Sequence, residues 1–182
     1  HYTAADGTKI TCRDENNWGE KPNALIRDKW ESAVNGAISF SDSLSKVENT
    51  NISLVTFSGS ASTATEFSHT ALTARDFGHP EGYTNLQAGL SNAIDKLKEI
   101  TDPNAQKYIV VIGDGQPTSG GSNGKSATDR AMDRAYEAKN DNKITVFSIG
   151  YGIENDATAK DVLKKISSDT TMTRFYGYRD YY

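Results

Sequence analysis

Residues 107–118 read KYIVVIGDGQPT. Tyr108–Gly113 within them is a continuous apolar run, with Pro103 before it and Gly115 after it. Such a run, with no polar residue at alternate positions, fits a strand buried on both faces, as in a parallel sheet covered by helices. A second run of this kind, ITVFSIG, occupies 144–150, and a helical pattern near Ala127–Lys139 lies between the two. Upstream, GYTNLQAGLSNAIDKL (82–97) places Leu86, Leu90, Ala93, Ile94 and Leu97 on one helix face after a turn at 82–85. ISLVTF (52–57) reads as a short apolar strand, followed by the turn FSGSAS and a more polar edge strand, STATEFSHT (62–70). Before it, Leu25, Ile26, Trp30, Ala33, Val34, Ala37, Ile38, Phe40 and Leu44 trace an amphipathic helix that ends before Asn49. A helix near Ala157–Ile166 and a last strand, TRFYGY (173–178), close the pattern. Strands alternating with helix-length crossovers define an α/β class, with a doubly wound and mainly parallel sheet.

The chain has 182 residues and a net charge of −4, which predicts one domain able to bury a core without staples. Its single cysteine, Cys12, excludes an internal disulfide framework and a Cys-cluster metal site. The mild acidity argues against nucleic acid, which needs clustered Lys and Arg. No apolar run approaches the length that spans a bilayer. Residues 1–24 are polar and aperiodic, with KITC at most a short strand, and read as an insertion or appendage to a domain at 25–182. The first residue is His1 and the only methionines are Met132 and Met172, which suggests a processed product or a piece of something longer.

In open α/β sheets ligands gather at the carboxyl ends of the strands. The loops leaving such ends here begin at Phe57, Gly113 and Gly150. Asp114 is the first charged side chain beyond its buried strand, and Gly113 and Gly115 allow close backbone approach. A carboxylate there suits a hard divalent cation or caps a turn. Other features carry less. SGGSNGKS (119–126) approximates a phosphate loop, but Ser119 replaces the first glycine and the loop is not clamped directly to its strand. His1, His69 and His79 lack ligand spacing, the Lys160, Lys164 and Lys165 group reads as a solvated helix face, and Ser58 and Ser60 have no histidine partner motif.

Taken together, GYTNLQAGLSNAIDKL and KYIVVIGDGQPT resemble the von Willebrand factor A domain in order and spacing. NISLVTFSGSA resembles that family's second strand, KITVFSIGYG its fifth, and LIRDKWESAVNGAISFSDSL its first helix, so the likeness runs from Leu25 to about Tyr178. It implies a Rossmann-like sheet with a metal-ion-dependent adhesion site at its upper edge. In the family that site joins an Asp-x-Ser-x-Ser loop, a Thr loop and an Asp loop. Thr84 matches the second and Asp114 the third, while Tyr83, Asn85, Gly115 and Gln116 flank them as ligand-contacting positions. Mg²⁺, or Mn²⁺ or Ca²⁺ in its place, would keep residual charge there, and an acidic group of a partner would complete its shell.

The family's first strand, ending in Asp-x-Ser-x-Ser, is not found. Asp42-Ser43-Leu44-Ser45 fails at the third position and falls inside a helix, and Ser58-Gly59-Ser60 has Phe57 where Asp belongs. Asp14-Glu15-Asn16-Asn17 has Asn at both serine positions, which leaves Asp14 as a third metal-ligand candidate. The absent strand is central in the family, between the equivalents of ISLVTF and YIVVIG. A preceding segment or a second chain would have to supply it, the former being the expectation adopted, with 1–24 as an inserted arm. Inserted arms of this kind resemble those of the tip adhesins of Gram-positive pili. The resemblance therefore implies a non-enzymatic, extracellular or cell-surface adhesion domain whose partner is a matrix or pilus protein. An intracellular assembly or chaperone module, and a domain with a vestigial, metal-free site, are the alternatives. An enzyme using Asp114 lacks a second catalytic acid or base.

Overall fold

The structure, a computed structural model, describes residues 2–3, 9–10, 24–78, 82–168 and 174–176, with side chains placed over 30–78 and 82–168. Strands β1 (Tyr2–Thr3) and β2 (Lys9–Ile10) form a small antiparallel pair, so KITC does contribute a short strand. Helix α1 spans Ala24–Leu44. Helix α2 (Leu86–Lys98), strand β3 (Tyr108–Gly113), helix α3 (Ala127–Tyr136), strand β4 (Thr145–Tyr151), helix α4 (Ala157–Ile166) and strand β5 (Arg174–Tyr176) follow in turn. The sheet order is β3-β4-β5, all parallel, with Tyr108 opposite Thr145 and Ile149 opposite Arg174.

Helices α2, α3 and α4 each start where a side chain takes an orphan backbone N–H group. Asn85 caps α2 by accepting from Ala88 N–H, and Asp156 caps α4 through Ala159 N–H at 2.8 Å. Ser126 caps α3 in a reciprocal box with Asp129. The lysine of the phosphate-loop lookalike is spent nearby: Lys125 pairs with Asp133 at 2.6 Å. Helix α3 runs into a single π turn at Glu137–Asp141, from which Lys139 reaches the carbonyls of Lys165 and Ser167 at the end of α4.

The pleat sends alternate residues of each strand to opposite faces. Ile109 and Val111 of β3 and Val146 of β4 join Leu86, Leu90 and Ile94 of α2, Ala131 and Ala135 of α3, and Val162, Leu163 and Ile166 of α4 in the main core. On the other face Tyr108 stacks on Phe147 with ring centroids 6.1 Å apart, and Tyr151 donates its hydroxyl to Ser32 O of α1 at 2.9 Å. A Cβ on Gly36 would stand 2.9 Å from that Tyr151 hydroxyl, so a glycine gives the ring its seat against α1. Helix α1 carries a smaller cluster of its own, Val34 and Ile38 with Ala74, flanked by Trp30 and Phe77. Helices thus lie on both faces of a parallel sheet, the Rossmann-like, doubly wound class that the apolar runs predict.

Segments 52–57 and 61–68 differ from the sequence reading. They pair with each other through the antiparallel bridges Ile52 to Ser68 and Phe57 to Ala61, but form no continuous strand. Two chains pairing alone make a marginal ribbon, and among the described residues neither joins the β3-β4-β5 sheet. Side chains hold this arm instead. Lys96 of α2, 8% exposed, pairs with Glu66 at 3.0 Å and Glu99 at 2.7 Å, and lies 5.6 Å from the Phe67 ring centroid.

Candidate functional site

The loops leaving Phe57, Tyr83 and Gly113 meet at one end of the molecule, and backbone hydrogen bonds knit them together. Asn85 donates its N–H to Ser58 O at 2.6 Å and its side-chain amide to Gly59 O at 3.0 Å. Thr84 donates its N–H to Thr118 Oγ1 at 2.9 Å, and its carbonyl accepts the N–H groups of Thr118 at 2.9 Å and Ser119 at 3.3 Å. Gly120, at φ +94°, closes the seam: a Cβ there would meet Asn85 Oδ1 at 2.3 Å. Only glycine takes both this backbone conformation and this approach.

Against that framework the sequence-derived residues divide by role. Asn85 is held as a helix cap and as a clamp on 58–59. Gln116 donates its amide to both Asp156 carboxylate oxygens, at 3.2 and 3.4 Å, which fastens the 113–119 loop to the first turn of α4. Gly115 provides the bend between Asp114 and Gln116. Tyr83 projects outward, 66% exposed, and leans over Gly59, where a Cβ would touch its ring at 3.8 Å. Asp114 is exposed and neither hydrogen-bonds nor ion-pairs with any described residue. Thr84 is half-buried, its backbone groups are engaged, and its Oγ1 meets no described donor or acceptor. Asp14 lies outside the described residues.

Sequence reasoning missed Thr118, Ser119 and Asp156. Thr118 acts on a backbone, and Asp156 on a helix end and an amide, so neither leaves a periodic signal. Ser119 Oγ is buried with no partner among the described residues, in the residue whose N–H donates to Thr84 O. A Pro-Thr-Ser run straight after Gly-Asp-Gly-Gln was the only available hint.

The side chains that the two joined loops carry are oxygen donors, a carboxylate and hydroxyls, which suits a hard divalent cation better than a thiophilic or imidazole-seeking one. Among the described residues no three His, Cys, Asp or Glu side chains are grouped so as to hold a metal ion. Thr84 and Asp114 therefore fit part of an octahedral shell, with water or an external ligand for the rest.

A parallel sheet with helices on both faces, carrying a Thr loop and an Asp loop locked together at its carboxyl edge, defines an A-type domain. The chain belongs to the von Willebrand factor type A domain family, whose model matches residues 25–182. It is 32% identical over 108 residues to the inter-alpha-trypsin inhibitor heavy chain H2 of Sus scrofa and to that of Homo sapiens. Those matches span 56% of this chain and 11% of each relative. Among solved structures, the vWF domain of the type V pili tip protein Mfa5 from Porphyromonas gingivalis superposes with a TM-score of 0.65 at 13% identity, covering 89% of this chain and 86% of that one. The manganese-loaded TRAP protein of Plasmodium vivax superposes at 0.51 with 19% identity, covering 81% and 60%. At these identities the two structures are likenesses of fold.

Proposed function

We propose that this chain is a non-enzymatic adhesion domain of an extracellular or cell-surface protein, binding an acidic group of a protein partner through a divalent cation. One observation carries the reading. Asp114 offers an exposed carboxylate with no cationic neighbour among the described residues, next to a loop whose Thr84 hydroxyl is uncommitted. Asp114 and Thr84 would hold the ion directly, Mg²⁺ or Mn²⁺ being the natural choices. With so few protein oxygens the ion keeps net positive charge, which is what attracts an external carboxylate. Tyr83, exposed beside Thr84, supplies apolar surface next to that charge and is placed to contact whatever carries the carboxylate. The pilus-tip likeness supports a surface setting, and the manganese-loaded TRAP likeness a divalent cation, both by analogy of fold.

The test is thermal unfolding of the chain with and without millimolar Mg²⁺ or Mn²⁺. At about ten times Kd an ion stabilises the folded state by ~1.4 kcal/mol, and Asp114→Ala abolishes that gain. If neither ion shifts the transition, the metal reading fails, leaving Asp114 as the cap of a turn.

A further inference from the structure

Helix α2 carries a second row of residues beside its core face. Asn85, Gly89, Asn92 and Lys96 recur at spacings of four, three and four, which puts them on one stripe. Each stands one position before a core residue: Leu86, Leu90, Ala93 and Leu97. Every member of the stripe meets the arm formed by 52–57 and 61–68. Asn85 takes the tip, donating its N–H to Ser58 O and its side-chain amide to Gly59 O. Gly89 lies against the Phe57 ring, where a Cβ would stand 2.9 Å from Cδ1. Asn92 donates its amide to Ser62 O at 2.7 Å, and Lys96 reaches Glu66 beside the Phe67 ring. From Asn85 to Lys96 the stripe runs for about 16 Å.

Between these ends the arm is cross-linked. Thr65 N–H donates to Leu54 O at 3.0 Å and Ser62 N–H to Thr56 O at 2.8 Å. The N–H groups of Leu54 and Thr56 go to the side-chain oxygens of Thr65 and Ser62. Ser58 N–H closes the tip on Ser60 O at 2.7 Å. A displacement at Glu66 is therefore carried through paired chain to Ser58 and Gly59.

Lys96 is the strongest of the attachments. Its side chain is 8% exposed, whereas those of Glu66 and Glu99 are 91% and 61% exposed. An ammonium so enclosed depends on anionic partners. Glu99 belongs to the same end of α2, so of the two ion pairs only Lys96–Glu66 crosses to the arm. The Asn92 contact is a neutral hydrogen bond, about half as strong as one between charged groups. At the other end of the stripe, Asn85 holds the arm's tip, caps α2 through Ala88 N–H, and adjoins Thr84, whose carbonyl takes Thr118 and Ser119.

We infer that Lys96 is a positioning residue for the site at Thr84 and Asp114: its bond to Glu66 seats the arm along α2, and the seated tip holds Asn85, and with it the Thr84 loop. Lys96 acts through the arm and not on the ion. That an ion is what it serves rests on the adhesion reading; the link from Lys96 to Asn85 does not.

The experiment is amide hydrogen exchange on the whole 182-residue chain, in chelator. Two variants are compared with the wild type. Glu66→Lys reverses a charge at an exposed position and leaves the core untouched. Lys96→Met keeps an apolar stem beside Phe67 and removes the charge. In both, the amides of Ser62, Thr65 and Asn85 should exchange at least about fivefold faster, with Ile94 and Val111 unchanged. The inference is overturned if none of the three amides changes, or if Asn85 keeps its rate while Ser62 and Thr65 quicken. It is also overturned if Ile94 quickens equally, since Lys96 would then merely support α2.

Titration with Mg²⁺ supplies the second readout. Removing a cation favours another cation through space, so weaker binding by Lys96→Met has to travel through the arm. A loss of at least about threefold is expected. Unchanged affinity, beside a wild type that does bind, overturns the positioning role. A wild type that binds no Mg²⁺ sinks the adhesion reading instead, and exchange at Asn85 still decides whether Lys96 holds the arm's tip.

Discussion

Thr84 and Thr118 hold each other by a reciprocal pair: Thr84 N–H on Thr118 Oγ1 and Thr118 N–H on Thr84 O, both at 2.9 Å. They are 34 residues apart in sequence, yet this pair sets the distance between the Thr loop and the Asp loop. The two loops are therefore joined by hydrogen bonds to backbone, and the Thr84 hydroxyl and Asp114 carboxylate are left uncommitted among the described residues.

Thr118→Val keeps the shape and removes the acceptor for Thr84 N–H. The expected loss is about 1 kcal/mol of stability, since the pair is near solvent. Mg²⁺ affinity should fall by roughly tenfold, as for outer-shell groups that orient ligands. Calorimetric titration beside thermal unfolding checks both. A stability loss with unchanged affinity would show that the pair does not position the site.

Gly120→Ala asks a β-carbon to occupy space 2.3 Å from Asn85 Oδ1 at a backbone φ of +94°. Strain of this kind costs about 2 kcal/mol, and the displaced Asn85 also gives up its cap on α2. Circular dichroism melts should show a lower Tm, and Gly124→Ala, with open space around it, should cost less.

Gly89→Ala sets two effects against each other. Alanine favours the α2 helix by about 1 kcal/mol, but its methyl would stand 2.9 Å from Phe57 Cδ1 and 3.3 Å from Phe57 Cβ. The Cβ contact lies close to the backbone, so the ring cannot simply swing away, and overpacking of about 1–3 kcal/mol prevails. Net destabilisation in urea unfolding is the expected result; a more stable variant would mean the 52–57 segment moves freely on α2.

Acid should loosen the α3 end of the molecule. Hydrogen bonding from Lys98, joined by Arg134, holds the Glu137 carboxyl below its ordinary 4.5. The Ser126 hydroxyl and N–H hold Asp129 below 3.8. Groups lowered in the folded state contribute stability above their unfolded values and lose it as pH falls through the folded ones. Tm should therefore decline from about pH 4.5 downward, and Glu137→Gln should flatten that decline.

The parallel strands were legible because YIVVIG is a continuous apolar run and ITVFSIG is interrupted only by Thr145 and Ser148, a composition that fits burial on both faces. Asp114 was legible from topology, since it leaves the carboxyl end of a buried strand, whereas Thr84 was found only through the family resemblance. The ion-holding role assigned to them follows from the family resemblance. ISLVTF has the composition of a strand, yet among the described residues it pairs only through isolated bridges to 61–68, and composition does not report how many neighbours a segment finds. The π turn at Glu137–Asp141 was invisible for a related reason: EAKND is ordinary helix sequence, and the turn is fixed by Lys139 reaching across to α4.

The seat of Tyr151 on Gly36 ties α1 to the sheet, while Val34 and Ile38 pack with Ala74 in a cluster separate from the main core. Of two unequal cores the smaller is expected to open first, which predicts that α1 leaves before the other helices. Trp30 sits in that cluster, and its emission should shift red before the far-ultraviolet signal of the other helices is lost.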